Sequence, residues 1–148
     1  MLIKFIKIVL LPFLIYGFSS FHSISDTGIK VVVTNLRNSN GHVLISLFKE
    51  GVGYPGQPEK AFRKSKVTIT NNKAVLIFTD VPSGNYAIAI LHDQNDDQKM
   101  NTNFFGLPKE GYGFSNNVMG TFGPPSYSKA SFRHTAVILT ELQIIARY

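Results

Sequence analysis

Hydrophobic positions along this chain come in short runs that alternate with polar ones and are separated by turn-forming clusters, so the pattern reads as strands. Residues 29–36 (IKVVVTNL) are β-branched and end at the turn cluster 37–41 (RNSNG), after which 42–49 (HVLISLFK) is a second apolar run; the pair reads as a hairpin. Residues 66–70 (KVTIT) alternate strictly, Asn71-Asn72 tolerates positive φ, and 73–79 (KAVLIFT) returns, giving a second hairpin. Pro82-Ser83-Gly84 then turns the chain into 85–92 (NYAIAILH), where Tyr86, Ile88 and Ile90 share one face and Ala87, Ala89 and Leu91 the other. Both faces are apolar, which predicts a central strand. Residues 131–134 and 142–147 supply one or two closing strands, and no segment carries a capped 3.6-residue stripe. The expectation is an all-β chain: a single antiparallel β-sandwich of six to seven strands, immunoglobulin-like or transthyretin-like, with Tyr86 as core or as a tyrosine-corner residue.

The first 25 residues stand outside this pattern. Lys4 and Lys7 precede an apolar run, 8–18, that is short for a bilayer span, contains Pro12, and gives way to serines. This is the layout of a Sec-type signal peptide, with small residues at Gly17 and Ser19 or Ser23 and Ser25 for cleavage. It predicts export to the periplasm or beyond, a folded domain over 26–148, and no membrane span once the signal is removed.

Composition narrows the chemistry. The 148 residues include no cysteine, which excludes disulfides, a thiol nucleophile and thiolate-bound metals. The formal charge of +6 becomes 13 − 9 = +4 once Lys4 and Lys7 are removed, so part of the basicity belongs to targeting. Lys60, Arg63, Lys64 and Lys66 cluster ahead of a strand, but no aromatics alternate with them. A charged sheet edge accounts for them better than a nucleic-acid surface, and no nucleic-acid partner is expected.

One connection is unusually long. Residues 93–126 show neither strand nor helix pattern, yet the stretch through Tyr127 holds Phe104, Phe105, Tyr112, Phe114, Phe122 and Tyr127, with Gly106, Gly111, Gly113, Gly120 and Gly123 between them. Disordered segments are poor in aromatics, so this predicts an ordered, packed loop across one end of the sandwich.

Within it, His92-Asp93-Gln94-Asn95, Asn103, the run from Phe105 to Asn117 (FGLPKEGYGFSNN) and Phe122-Gly123-Pro124-Pro125 resemble the bacterial domain-of-unknown-function family 2141. Leu36, Gly41 and the stretch from Asp80 to Ala87 (DVPSGNYA) match it upstream. The resemblance covers nearly all of the chain after the leader. It implies an exported bacterial β-sandwich, and it carries no activity with it.

The same loop offers oxygen ligands at alternate positions: Asp93, Asn95, Asp97, Asn101 and Asn103, with Glu110 as a more distant carboxylate. Calcium takes six to eight such oxygens. However, Gln98 stands where a calcium loop has its glycine and Phe104 where it has a bidentate glutamate; relative to the family's usual pattern, Gln98 replaces a glycine and Asn101 an aspartate. The competing reading is that these side chains cap the loop's own amides.

Enzymatic signals are thin. His92 and Asp93 are adjacent, so on a strand they face opposite ways, and Ser115 lacks the second glycine of a nucleophile elbow. Transthyretin-like hydroxyisourate hydrolases end Tyr-Arg-Gly-Ser, whereas this chain ends Ile145-Ala146-Arg147-Tyr148. A small hydrolase is therefore the third reading, and weak calcium binding the second. The first is a non-catalytic binding or structural module of the cell envelope with no cofactor. Its candidate contacts to a glycan, peptide or protein are Glu110, Tyr112, Phe114, Ser115, Asn116 and Asn117.

Overall fold

The computed structural model describes residues 27–148, and the leader assigned to residues 1–25 lies outside them. Among the described residues eight strands form: β1 Gly28–Thr34, β2 His42–Lys49, β3 Arg63–Thr68, β4 Ala74–Phe78, β5 Gly84–Asp93, β6 Gly111–Phe114, β7 Phe132–His134 and β8 Leu139–Ile145, with a short α-helix, α1, at Tyr127–Ala130 and 3-10 turns at Pro58–Lys60 and Ser115–Asn117. They make a β-sandwich of two sheets. One is three-stranded in the order β4, β1, β8; the other runs β3, β2, β5, β6, with β7 also paired to β5. All pairings are antiparallel except β1 with β8. Among the described residues no helix is long and apolar enough to cross a membrane.

Period-two alternation builds the core. Ile29, Val31 and Val33 of β1, with Ala74, Phe78 and Ile144 beside them, face Val43, Ile45 and Leu47 of β2 and Tyr86, Ile88 and Ile90 of β5. Tyr86 closes one end: its hydroxyl donates to the Pro82 carbonyl at 2.8 Å, a tyrosine-corner bond, and burial raises its pKa.

Two sequence expectations about pairing are corrected. The 29–36 and 42–49 runs are strands but not partners, because the connection between them crosses from one sheet to the other. It is pinned across that gap: Asn35 Nδ2 donates to the Ala146 carbonyl at 2.9 Å, and Gly41 takes a φ of 63° where a Cβ would collide with the Asp93 carbonyl. At Asn71-Asn72 the tight turn does form, with φ of 51° and 57° and paired backbone bonds between Thr70 and Lys73. Beyond it the strands part, β3 to β2 and β4 to β1. Turn chemistry specifies a reversal but not which sheet each arm joins.

One strand, β6, lies inside the segment expected to hold none. Its glycines argue against a strand by propensity, but they permit close approach. A Cβ on Gly111 would strike the Tyr148 ring, and one on Gly113 would press on Ile144 and the Ile145 carbonyl. Tyr112 then exchanges backbone bonds with Arg147 at 2.9 and 2.8 Å, tying the long loop to the C-terminus.

Candidate functional site

Residues predicted from the loop divide into supports and surfaces. Ser115 is fully buried. β6 and β7 both pair with β5 but leave a gap between them, and there Ser115 Oγ accepts the Ile88 amide at 2.9 Å while donating to the Ala130 carbonyl at 2.6 Å. Asn116 and Asn117 take φ of 61° and 53°. Asn116 Nδ2 donates to the Lys129 and Ser131 carbonyls, and Asn117 accepts the Ile145 amide while donating to the Gln143 carbonyl. The Asn117 side chain thus imitates a paired residue along the free side of β8.

Glu110 is buried and also occupied. Its two oxygens accept the amides of Gln94 at 2.8 Å and Asn101 at 3.1 Å. Asp93, fully buried, accepts the amides of Asp97 and Gln98, and Asp97 accepts the Lys99 amide and the side-chain amides of Asn95 and Asn101. Carboxylate oxygens of Asp93, Asp97 and Glu110 lie within 4.8 Å of one another. The Asn101 side chain, then the Lys99 amide and the Asn95 side chain, hold the Asp97 pKa below the usual carboxylate value. Asn103 serves a separate turn, its Oδ1 accepting the Phe105 and Leu107 amides at 2.9 and 3.0 Å. Tested against calcium's oxygen requirement, the predicted set is brought together only in part. Three carboxylates converge, but the amide groups of Asn95 and Asn101 point nitrogens at Asp97, and each carboxylate already caps backbone.

The histidines are placed as structural ties. His92 Nε2–H donates to the Asn40 carbonyl at 3.0 Å and Nδ1 accepts from the Tyr148 hydroxyl at 2.6 Å; Arg37 stacks on that tyrosine ring. His134 bonds Thr140 and the Val81 carbonyl, and His42 donates to Asp96 at 2.7 Å. Among the described residues no histidine hydrogen-bonds both a carboxylate and a hydroxyl, the arrangement of a Ser-His-Asp triad.

The predicted aromatics split. Phe114 is buried, while Tyr112 and Tyr127 are half-buried; with Phe48, Tyr54 and Ala130 they cover one end of β5's outer face over Ala87. Phe104, Phe105 and Phe122 are solvent-exposed, as is Leu107. The loop is therefore not fully packed, and its exposed aromatics need another explanation.

That explanation begins with a groove of about 1200 Å³ on the outer face of the five-stranded sheet. It exceeds the roughly 300–1,000 Å³ of an ordinary small-molecule site. Its floor is two cross-strand rows, Lys66, Leu44, Leu91, Tyr112 and Lys64, Ser46, Ala89, Phe114, each running β3, β2, β5, β6. Its walls come from two loops, with Met100, Leu107 and Phe122 contributed by the long one and Pro55 and Pro58 by the other. A second hollow of about 260 Å³, between Lys49, Glu50 and Phe62, is smaller than such sites usually are.

Residues 31–138 match the family described as an uncharacterized protein conserved in bacteria, DUF2141. The chain belongs to this family. No curated protein and no solved structure matches it. In this DUF2141 chain the matched segment contains the whole groove floor. Sequence reasoning reached Tyr112 and Phe114 but missed Leu44, Ala89 and Leu91. Their signal was present in the doubly apolar β5, whose second face suggested burial and not a ligand.

Proposed function

We propose that this DUF2141 chain is an exported, non-catalytic binding module of the bacterial envelope, and that its ligand lies in the groove walled by the long loop. The observation that carries the reading is the partly exposed apolar floor of Leu44, Ala89, Leu91 and Tyr112, incompletely covered in a chain that fully buries the opposite face of the same strands. A large concave apolar surface with few polar groups is the usual form of a ligand site. Of the candidate contacts, Tyr112 and Phe114 lie in the groove; Glu110, Ser115, Asn116 and Asn117 support the loop that walls it. Export is supported by the basic and apolar leader.

The test is binding of a neutral apolar dye such as Nile red to purified protein and to an Ala89→Phe variant, whose ring would rise from the floor without entering the core. Saturable fluorescence enhancement that Ala89→Phe removes, with unchanged thermal stability, is expected. Equal enhancement in both proteins would reject the groove. Export is checked by fractionation and by the mass of the periplasmic form, expected to begin within the serine-rich stretch that ends near residue 25.

A further inference from the structure

The groove floor has a direction. Both rows begin at a lysine on β3, pass through small or aliphatic side chains on β2 and β5, and end at an aromatic on β6. Three inter-strand spacings of about 4.8 Å separate those ends, roughly 14 Å. Resting on the proposed groove, we infer that the occupant is an anionic single-chain amphiphile that lies across the strands, its head at Lys64 and Lys66 and its chain over Leu44, Ala89, Leu91 and Tyr112.

Charge and hydrogen bonding argue together. Lys64, Lys66 and Lys99 line the groove against one acid, Glu59. Lys66 pairs with Asp96 at 3.1 Å, while among the described residues Lys64 and Lys99 enter no ion pair. A rim whose three lysines outnumber the nearby acids Glu59 and Asp96, with Lys64 in no ion pair, suits an anionic head. Over the middle of the floor the backbone of β2 and β5 is consumed by the sheet ladders, leaving Ser46 as the polar side chain among the floor's inner positions. A peptide laid there would have no backbone groups to bond and would leave its own amides unsatisfied, whereas an alkyl chain has none to satisfy. Exposed Leu107 and Phe122 on the wall extend the apolar surface past the floor.

The experiment titrates purified protein, below micelle formation, with dodecanoate, dodecyl glucoside and dodecyltrimethylammonium, each read by calorimetry and by displacement of Nile red. Dodecanoate is expected to bind most tightly, and Lys64→Glu to weaken it about two- to fivefold while changing dodecyl glucoside binding less. Ala89→Phe should abolish all three. If the three amphiphiles bind alike, or Lys64→Glu weakens them equally, the anionic head is wrong and the groove stands. If Nile red binds but no amphiphile displaces it, the occupant is not an amphiphile, and a peptide or a second copy of the chain, read by sedimentation, takes its place. If neither dye nor amphiphile binds, the groove itself falls.

Discussion

The two faces of the five-stranded sheet are made by alternate residues of the same strands, and they meet different fates. On the inner face Val43, Ile45, Leu47, Ile88 and Ile90 are buried against the three-stranded sheet. On the outer face Leu44, Ala89 and Leu91 are only partly buried, one strand position away. The residue types are nearly the same; what differs is whether the chain supplies a second layer. Stability should therefore reside on one face and binding on the other.

Matched truncations should separate the two faces most widely. Ile88→Ala should cost about 2–5 kcal/mol in urea unfolding, because it leaves a cavity between sheets, whereas Leu91→Ala should cost under about 1 kcal/mol and still weaken dye binding. Equal destabilisation by the two would mean that the outer face is core. Next in size is Ser115→Ala. Removing the hydroxyl strands the buried Ile88 amide and the Ala130 carbonyl, at about 1–3 kcal/mol, with dye affinity unchanged if Ser115 is a support and not a contact.

A smaller effect separates the acidic part of the loop from the groove. Asp97, held by Asn101, Lys99 and Asn95, and Asp96, held by His42 and then Lys66, both have lowered pKa values. A carboxylate depressed in the folded state adds stability above its unfolded value, about 3.9, and loses it as pH falls through the lower folded value. The backbone amide signal of Lys99 and the side-chain amide signal of Asn101 should thus hold to about pH 4 and move below it, ahead of the backbone amides in β2 and β5. The smallest effect concerns calcium. With the carboxylates serving as caps, about 10 mM calcium should leave the unfolding midpoint in place, whereas a site of Kd about 1 mM would add about 1.4 kcal/mol.

These contrasts also show what the chain's pattern could and could not reveal. Seven of the eight strands follow from alternation and turn residues, with β2 matched end to end, because period two and the Pro-Ser-Gly and Asn-Asn turns are local properties. Partner choice was not legible. The Arg37–Gly41 crossing and the parting of β3 from β4 depend on packing between sheets, and β6 exists because Gly111 and Gly113 fit under Tyr148 and Ile144, far along the chain. For the site, the long loop drew attention to Tyr112 and Phe114 through its aromatics. Leu44, Ala89 and Leu91 escaped because an apolar residue under a protein layer and one under a ligand have the same sequence signature. Lys64 and Lys66 read as edge protection, which β3's edge position supports, and only the cross-strand register aligns them with the apolar rows.

The most direct measurement is amide chemical-shift mapping during titration with a neutral apolar ligand such as Nile red. Saturating shifts are expected at Leu44, Ala89, Leu91, Tyr112 and the Leu107 and Phe122 walls, with little change at Ile29, Val31 and Ile144. Shifts confined to the three-stranded sheet, or spread evenly over both sheets, would contradict binding on the outer face.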